Sequence, residues 1–135
     1  MTNKYKNTPV LGYRSKKEQR FAELLVEAGI PYGYETEKFI LQNKFKQPHY
    51  ARFGKRFKLL ESVRAITFTP DFIIHKNGVK YIVEIKGFKT GPYAIKKKLF
   101  LYWLHTHHPE HMFIELNSVG EMKTFIQLLN NNYDG

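Results

Sequence analysis

Hydrophobic positions recur at helical spacing in three segments of the chain and at strand-like spacing between them. Phe21, Leu24, Leu25 and Ala28 form one face over residues 16–28, where Ser15 and Glu18 make a capping-box start and Gly29 with Pro31 makes a stop. Ile95, Leu99, Tyr102 and Trp103 predict an amphipathic helix over residues 92–105, and Met122, Phe125, Ile126 and Leu129 predict a final one in "VGEMKTFIQLLNN". Strands are expected over residues 32–41, 64–68 and 112–116, and as a pair within "TPDFIIHKNGVKYIVEIKG" at residues 69–87. The basic segment 42–58, interrupted by Pro48 and Gly54, reads as a long loop or an irregular hairpin. A helix followed by a strand after residue 87 suggests a crossover to a parallel neighbour, so the expected class is α/β, a mixed β-sheet flanked by helices.

Asn77-Gly78 suits a type I′ turn, whose two central residues need positive φ. A two-residue loop pairs Lys76 with Val79, and counting outward sets Asp71 across from Glu84, with Lys86 on the same face. Ile73 and Ile82 share that face while Phe72, Ile74, Tyr81, Val83 and Ile85 line the other, so both sides of the hairpin are expected to be buried. Pro70 favours an extended Thr69 and so sets the position of Asp71. Opposed carboxylates in such a place repel unless they are paired or bind metal. The bland reading is a salt bridge from Lys86 to one of them. Glu18, three residues before Phe21, either completes the capping box or turns its carboxylate toward the sheet.

At 135 residues, with 42% hydrophobic and 16% aromatic content, the chain holds one domain with a real core. Residues 1–13 read as a flexible arm, 14–130 as the domain with a basic insertion at 42–58, and 131–135 as a frayed end. The formal charge of +10 is local. Lys44, Lys46, Arg52, Lys55, Arg56 and Lys58 stand in residues 44–58 without an acid, and Lys86, Lys89, Lys96, Lys97 and Lys98 do so in residues 86–98. Such patches suit a phosphate backbone and would repel a small cationic substrate. Apart from Lys86, they are the expected DNA contacts, together with Lys16 and Lys17 on the first helix. Tyr50, Phe53 and Phe57 either stack on unpaired bases or anchor the segment, and Trp103 is expected in the core. The absence of cysteine excludes disulfides, thiolate chemistry and Cys-based zinc sites. With no signal peptide or apolar span of membrane length, a cytoplasmic protein without a membrane partner is expected.

Phosphodiester cleavage needs an activated water, a metal or cation near the phosphate, and stabilisation of the leaving oxygen. Carboxylates supply hard oxygen ligands for Mg²⁺, with Mn²⁺ as a substitute, and a lysine can orient or activate water. Asp71 and Glu84 are therefore the expected metal ligands and Lys86 their catalytic partner, with Glu18 a further ligand from the first helix. The run "HTHHPEH", with His105, His107, His108 and His111, invites a zinc assignment, but it sits at a helix end where the dipole already favours histidine. His49 belongs with the phosphate contacts, and neither it nor His75 is expected to act in catalysis.

"PD" at 70 and 71, twelve intervening residues and "EIK" at 84–86 resemble the PD-(D/E)xK nuclease superfamily. The fuller pattern, "RSKKEQRF", "FTPDF", "VEIKG" and a Lys-rich helix, resembles Holliday-junction-resolving enzymes of the phage endonuclease I type and small uncharacterised phage proteins. The resemblance covers residues 14–116 and implies a restriction-endonuclease-like fold and a phage-encoded enzyme acting in the host cytoplasm. It also implies metal-dependent DNA hydrolysis, selective for branched DNA, leaving 5′-phosphate and 3′-hydroxyl ends. Asp71 and Glu84 would be metal ligands, Glu18 an accessory ligand, and Lys86 the residue that positions or activates water. Resolving enzymes of this type are homodimers that exchange elements, and no exchange element is identifiable here; the insertion at 42–58 also departs from their pattern. The alternatives are a DNA-end nuclease of transposition or packaging, and a non-catalytic basic nucleic-acid-binding module.

Overall fold

The computed structural model describes residues 12–86 and 91–131. Most of the expected arm, Lys89 and most of the expected frayed end fall outside the described residues. Helix α1 (Lys16–Glu27) starts where Ser15, in extended backbone, accepts the Glu18 amide on its side chain. Its apolar face buries Phe21, Ala22, Leu24 and Leu25. It ends in a Schellman motif, with Gly29 at φ 71° donating to the Val26 carbonyl and Ile30 donating to that of Leu25. A Cβ added at Gly29 meets nothing within 4 Å, so Gly29→Ala isolates the backbone strain. We expect it to cost about 1 kcal/mol, read as a lower urea midpoint with an unchanged m value.

The central sheet has the order β1-β6-β7-β8, where β1 is Gly33–Tyr34, β6 is Phe72–Lys76, β7 is Val79–Ile85 and β8 is Met112–Leu116. Asn77 and Gly78, at φ 54° and 80°, close the β6–β7 hairpin in the register expected from the sequence, Lys76 opposite Val79. Helix α2 (Gly91–His107) carries the chain from β7 to the parallel strand β8, and α3 (Val119–Asn131) follows. Helices α1 and α3 pack on one face of the sheet around Phe21, Leu25, Phe72, Ile74, Val83 and Met122. The other face carries Ile73 and Ile82 against Phe100 and Leu104 of α2, with Phe39 and Phe68 from the ribbon formed by β2 (Phe39–Gln42) and β5 (Ile66–Phe68). Burial on both faces is what the near-continuous apolar runs of β6 and β7 require. Among the described residues no helix is long and apolar enough to cross a membrane.

Several expectations are corrected. The single strand over 32–41 is two short strands, because Glu35 adopts φ 53° and bends the chain between β1 and β2. Of the two readings of segment 42–58, the loop gives way to the irregular hairpin, which extends into the residues after it as β3 (Phe45–Phe53) and β4 (Arg56–Val63), with a register shift between Lys46 and His49 around Pro48. Helix α2 turns a different face inward from the one predicted: Ile95, Leu99 and Tyr102 are exposed, while Phe100 and Leu104 are buried with Tyr93 and Trp103 packed beside them. Apolar side chains surround most of that helix, so periodicity alone does not choose its face. A polar contact to β8, described below, accompanies the choice.

Candidate active site

The hairpin register, continued one step past the last ladder pair, brings Asp71 to Glu84, and the two interlock. The Asp71 amide donates to Glu84 Oε1 at 3.0 Å, and the Ile85 amide donates to Asp71 Oδ2 at 2.8 Å. Each carboxylate is thus tied to the other's strand. Asp71 Oδ1 accepts no hydrogen bond from a described residue. The Asp71 carbonyl accepts the Glu35 amide at 2.9 Å, so the bend at Glu35 helps to fix this corner. Lys86 lies on the same side, its Nζ 3.1 Å from Glu84 Oε2 and 4.1 Å from the centre of the Tyr93 ring.

Glu18 keeps only part of its expected capping role. Ser15 caps the Glu18 amide, but Glu18 Oε1 accepts from the Arg14 amide at 3.2 Å and from the Tyr34 hydroxyl at 2.5 Å. Glu18, Asp71 and Glu84 are the charged side chains in the buried set, at 8%, 8% and 5% exposure. Burial is the main cause that raises all three carboxyls above their ordinary range. Mutual repulsion adds to this: Glu84 and then Glu18 act on Asp71, while Lys86 holds Glu84 down. When ionised, the three acids outnumber Lys86, the cation paired with one of them among the described residues, which is the setting that favours a divalent cation.

The donor set fits such an ion at Asp71 and Glu84, hard oxygen ligands on adjacent strands. Among the described residues, the trio of ligand-type side chains whose donor atoms lie within 4.8 Å of one another is His108, Glu110 and His111, not the three buried acids. That trio sits where Met112 pairs with Tyr81, toward the turn end of the sheet and away from Asp71 and Glu84. Its Glu110 carboxylate lies 3.1 Å from His108 Nδ1 and 3.5 Å from His111 Nδ1.

Sequence reasoning missed Tyr34, Tyr93 and Glu115. Parallel pairing sets Glu115 of β8 beside Glu84, on the side that faces α2. There Glu115 accepts from the Tyr93 hydroxyl at 2.5 Å and from Lys97 Nζ at 2.7 Å. The signal was present in the expected strand 112–116, but its register against β7 was not readable. Lys97 therefore turns toward Glu115, unlike its exposed neighbours Lys96 and Lys98. Lys17 likewise donates to the Asn117 carbonyl at 2.7 Å, whereas Lys16, Lys44, Lys46, Arg52, Lys55, Arg56 and Lys58 are exposed. We expect Lys97→Met to cost about 2 kcal/mol at pH 7 and Lys98→Met less than about 0.5, both read by chemical denaturation.

Residues 4–119 match the family model described as "Protein of unknown function (DUF1064)", and the chain belongs to that family. No curated protein and no solved structure matches it.

Proposed function

We propose that this member of the DUF1064 family is a metal-dependent DNA endonuclease that hydrolyses phosphodiester bonds, selects branched DNA such as four-way junctions, and leaves 5′-phosphate and 3′-hydroxyl ends. The observation that carries the reading is the buried Asp71–Glu84 pair, each acid bonded to the other's strand, with Lys86 on one of them. A purely structural cluster would match its acids with cations, yet among the described residues neither Asp71 nor Glu18 makes an ion pair. The mixed sheet with helices on both faces supports a restriction-endonuclease-like arrangement of these acids.

Asp71 and Glu84 would hold Mg²⁺, or Mn²⁺ in its place, which would supply Lewis acidity toward the phosphoryl oxygen and lower the pKa of water. The amides of Asp71 and Ile85 fix one oxygen of each acid before DNA arrives, so little reorganisation remains for the reaction. Glu84 and the Tyr93 ring hold the Lys86 ammonium, which donates hydrogen bonds to the attacking water and to the scissile phosphate. The water oxygen bonds to phosphorus and releases a proton to solvent. The bond from phosphorus to O3′ breaks, and the 3′ oxygen takes a proton from solvent.

The test is to incubate wild type and Glu84→Gln with a labelled four-way junction and a matched linear duplex, in Mg²⁺ or EDTA, and to map the cuts. Paired nicks in the junction, made only with Mg²⁺ and only by wild type, are expected. Cleavage that persists in Glu84→Gln removes the assignment, and cutting confined to one duplex end replaces branch selection with end processing.

A further inference from the structure

The β3–β4 hairpin is a ribbon whose strands pair with each other and with no third strand among the described residues, and it buries no residue on either face. The register sets Tyr50 opposite Leu59 and Arg52 opposite Phe57 on one face, and Phe53 opposite Arg56 and Ala51 opposite Lys58 on the other. Tyr50, Phe53 and Phe57 are 65%, 61% and 76% exposed. The Tyr50 and Phe57 rings stack with centres 5.5 Å apart, and Lys58 Nζ lies 5.0 Å from the centre of the Phe53 ring. A two-stranded ribbon bare on both faces is marginal by itself, and large aromatic rings in water are an unusual way to finish one.

We propose that this ribbon is a nucleic-acid-binding arm whose rings stack on unpaired bases, so that the substrate class is DNA in which splayed or single-stranded nucleotides adjoin a duplex. Charge decides between occupants. Residues 44–63 carry six Lys/Arg and a single acid, Glu61, so a second copy of the ribbon would be repelled and a phosphate backbone attracted. The rings decide between forms of DNA. A duplex offers phosphates and base edges, which the cations could engage without aromatic help, whereas unpaired bases offer π faces that any exposed ring can stack on. The inference deepens the nuclease reading, because branched DNA has such nucleotides at its branch point. It also stands apart from the Asp71–Glu84 chemistry, because it concerns binding alone.

The experiment measures binding of the full chain in EDTA, where cleavage plays no part. The probes are a duplex with an internal stretch of unpaired thymines, a fully paired duplex of the same length, and the first probe with 2-aminopurine among its unpaired bases. Wild type should prefer the unpaired probe by about tenfold and change the 2-aminopurine emission on binding, as stacking does. The double variant Tyr50→Leu/Phe57→Leu keeps apolar side chains on the ribbon. It should lose that preference and keep its affinity for the paired duplex. Equal wild-type affinity for both probes with no change in emission overturns the proposal, and does so without relying on the variant's folding. Salt-insensitive self-association that Tyr50→Leu/Phe57→Leu abolishes also overturns it, assigning the rings to a second copy. A stacking preference in a protein that never cleaves with Mg²⁺ removes the nuclease reading and leaves the arm; cleavage without the preference does the reverse.

Discussion

Asp71→Asn melts higher than wild type in EDTA at pH 8, by about 3 °C or more, and its Mg²⁺-dependent cleavage falls by about 10³-fold or more. Both effects have one origin. Burial, then the facing Glu84 and Glu18, push the Asp71 carboxyl up to about 8. An unfolded aspartate titrates near 3.9, so between roughly pH 4 and pH 8 the folded chain holds a proton that the unfolded chain releases. Stability in EDTA is therefore greatest toward the acid side of that window and is lost as pH rises through it. Asparagine can still accept the Ile85 amide on its side-chain oxygen and carries no charge to repel Glu84. The wild-type melting temperature should fall from pH 5 to pH 8 in EDTA and that of Asp71→Asn should fall less. Mg²⁺ should flatten the wild-type slope by neutralising the pair. A variant that melts lower at pH 8 and has the wild-type pH slope would make Asp71 a structural acid.

The hairpin that makes this argument possible was legible because its information is local. Asn77-Gly78 defines the turn, the turn defines the register, and the register brings Asp71 to Glu84. The start and stop of α1 were legible for the same reason, since cap and Schellman residues act on their own neighbours. Glu115 was not, because a parallel neighbour joined through a helix has no turn to set its register, and only the folded sheet places it beside Glu84. Tyr34 was hidden by the left-handed bend at Glu35, a conformation that a glutamate does not advertise. For the β3–β4 ribbon, pattern reading stopped at a choice between a loop and an irregular hairpin, because the shift between Lys46 and His49 breaks its alternation, and with neither face buried there is no apolar period to find.

Lys86→Met should lower the cleavage rate by about 10²-fold or more at saturating DNA while leaving DNA affinity in Ca²⁺ or EDTA close to wild type. The expected change in stability has the opposite sign to that of Asp71→Asn. Lys86 is the cation that offsets the burial of Glu84, and its loss leaves that acid beside Asp71 and the inward-facing Glu115 with less compensation. Because the Lys86 side chain is a quarter exposed, the cost at pH 8 is about 1–2 kcal/mol, smaller than for a fully buried pair. The penalty should shrink as pH falls and Glu84 protonates. One acid substitution that stabilises and one lysine substitution that destabilises, both lowering turnover and neither ending binding, is a combination that a structural salt bridge shared by Asp71 and Lys86 does not give. In such a bridge, removing either partner strands the other, and both variants melt lower. The signs of the two shifts, measured in EDTA at pH 8, therefore separate a charge-loaded site that awaits a cation from a satisfied ion pair, before any substrate has been chosen.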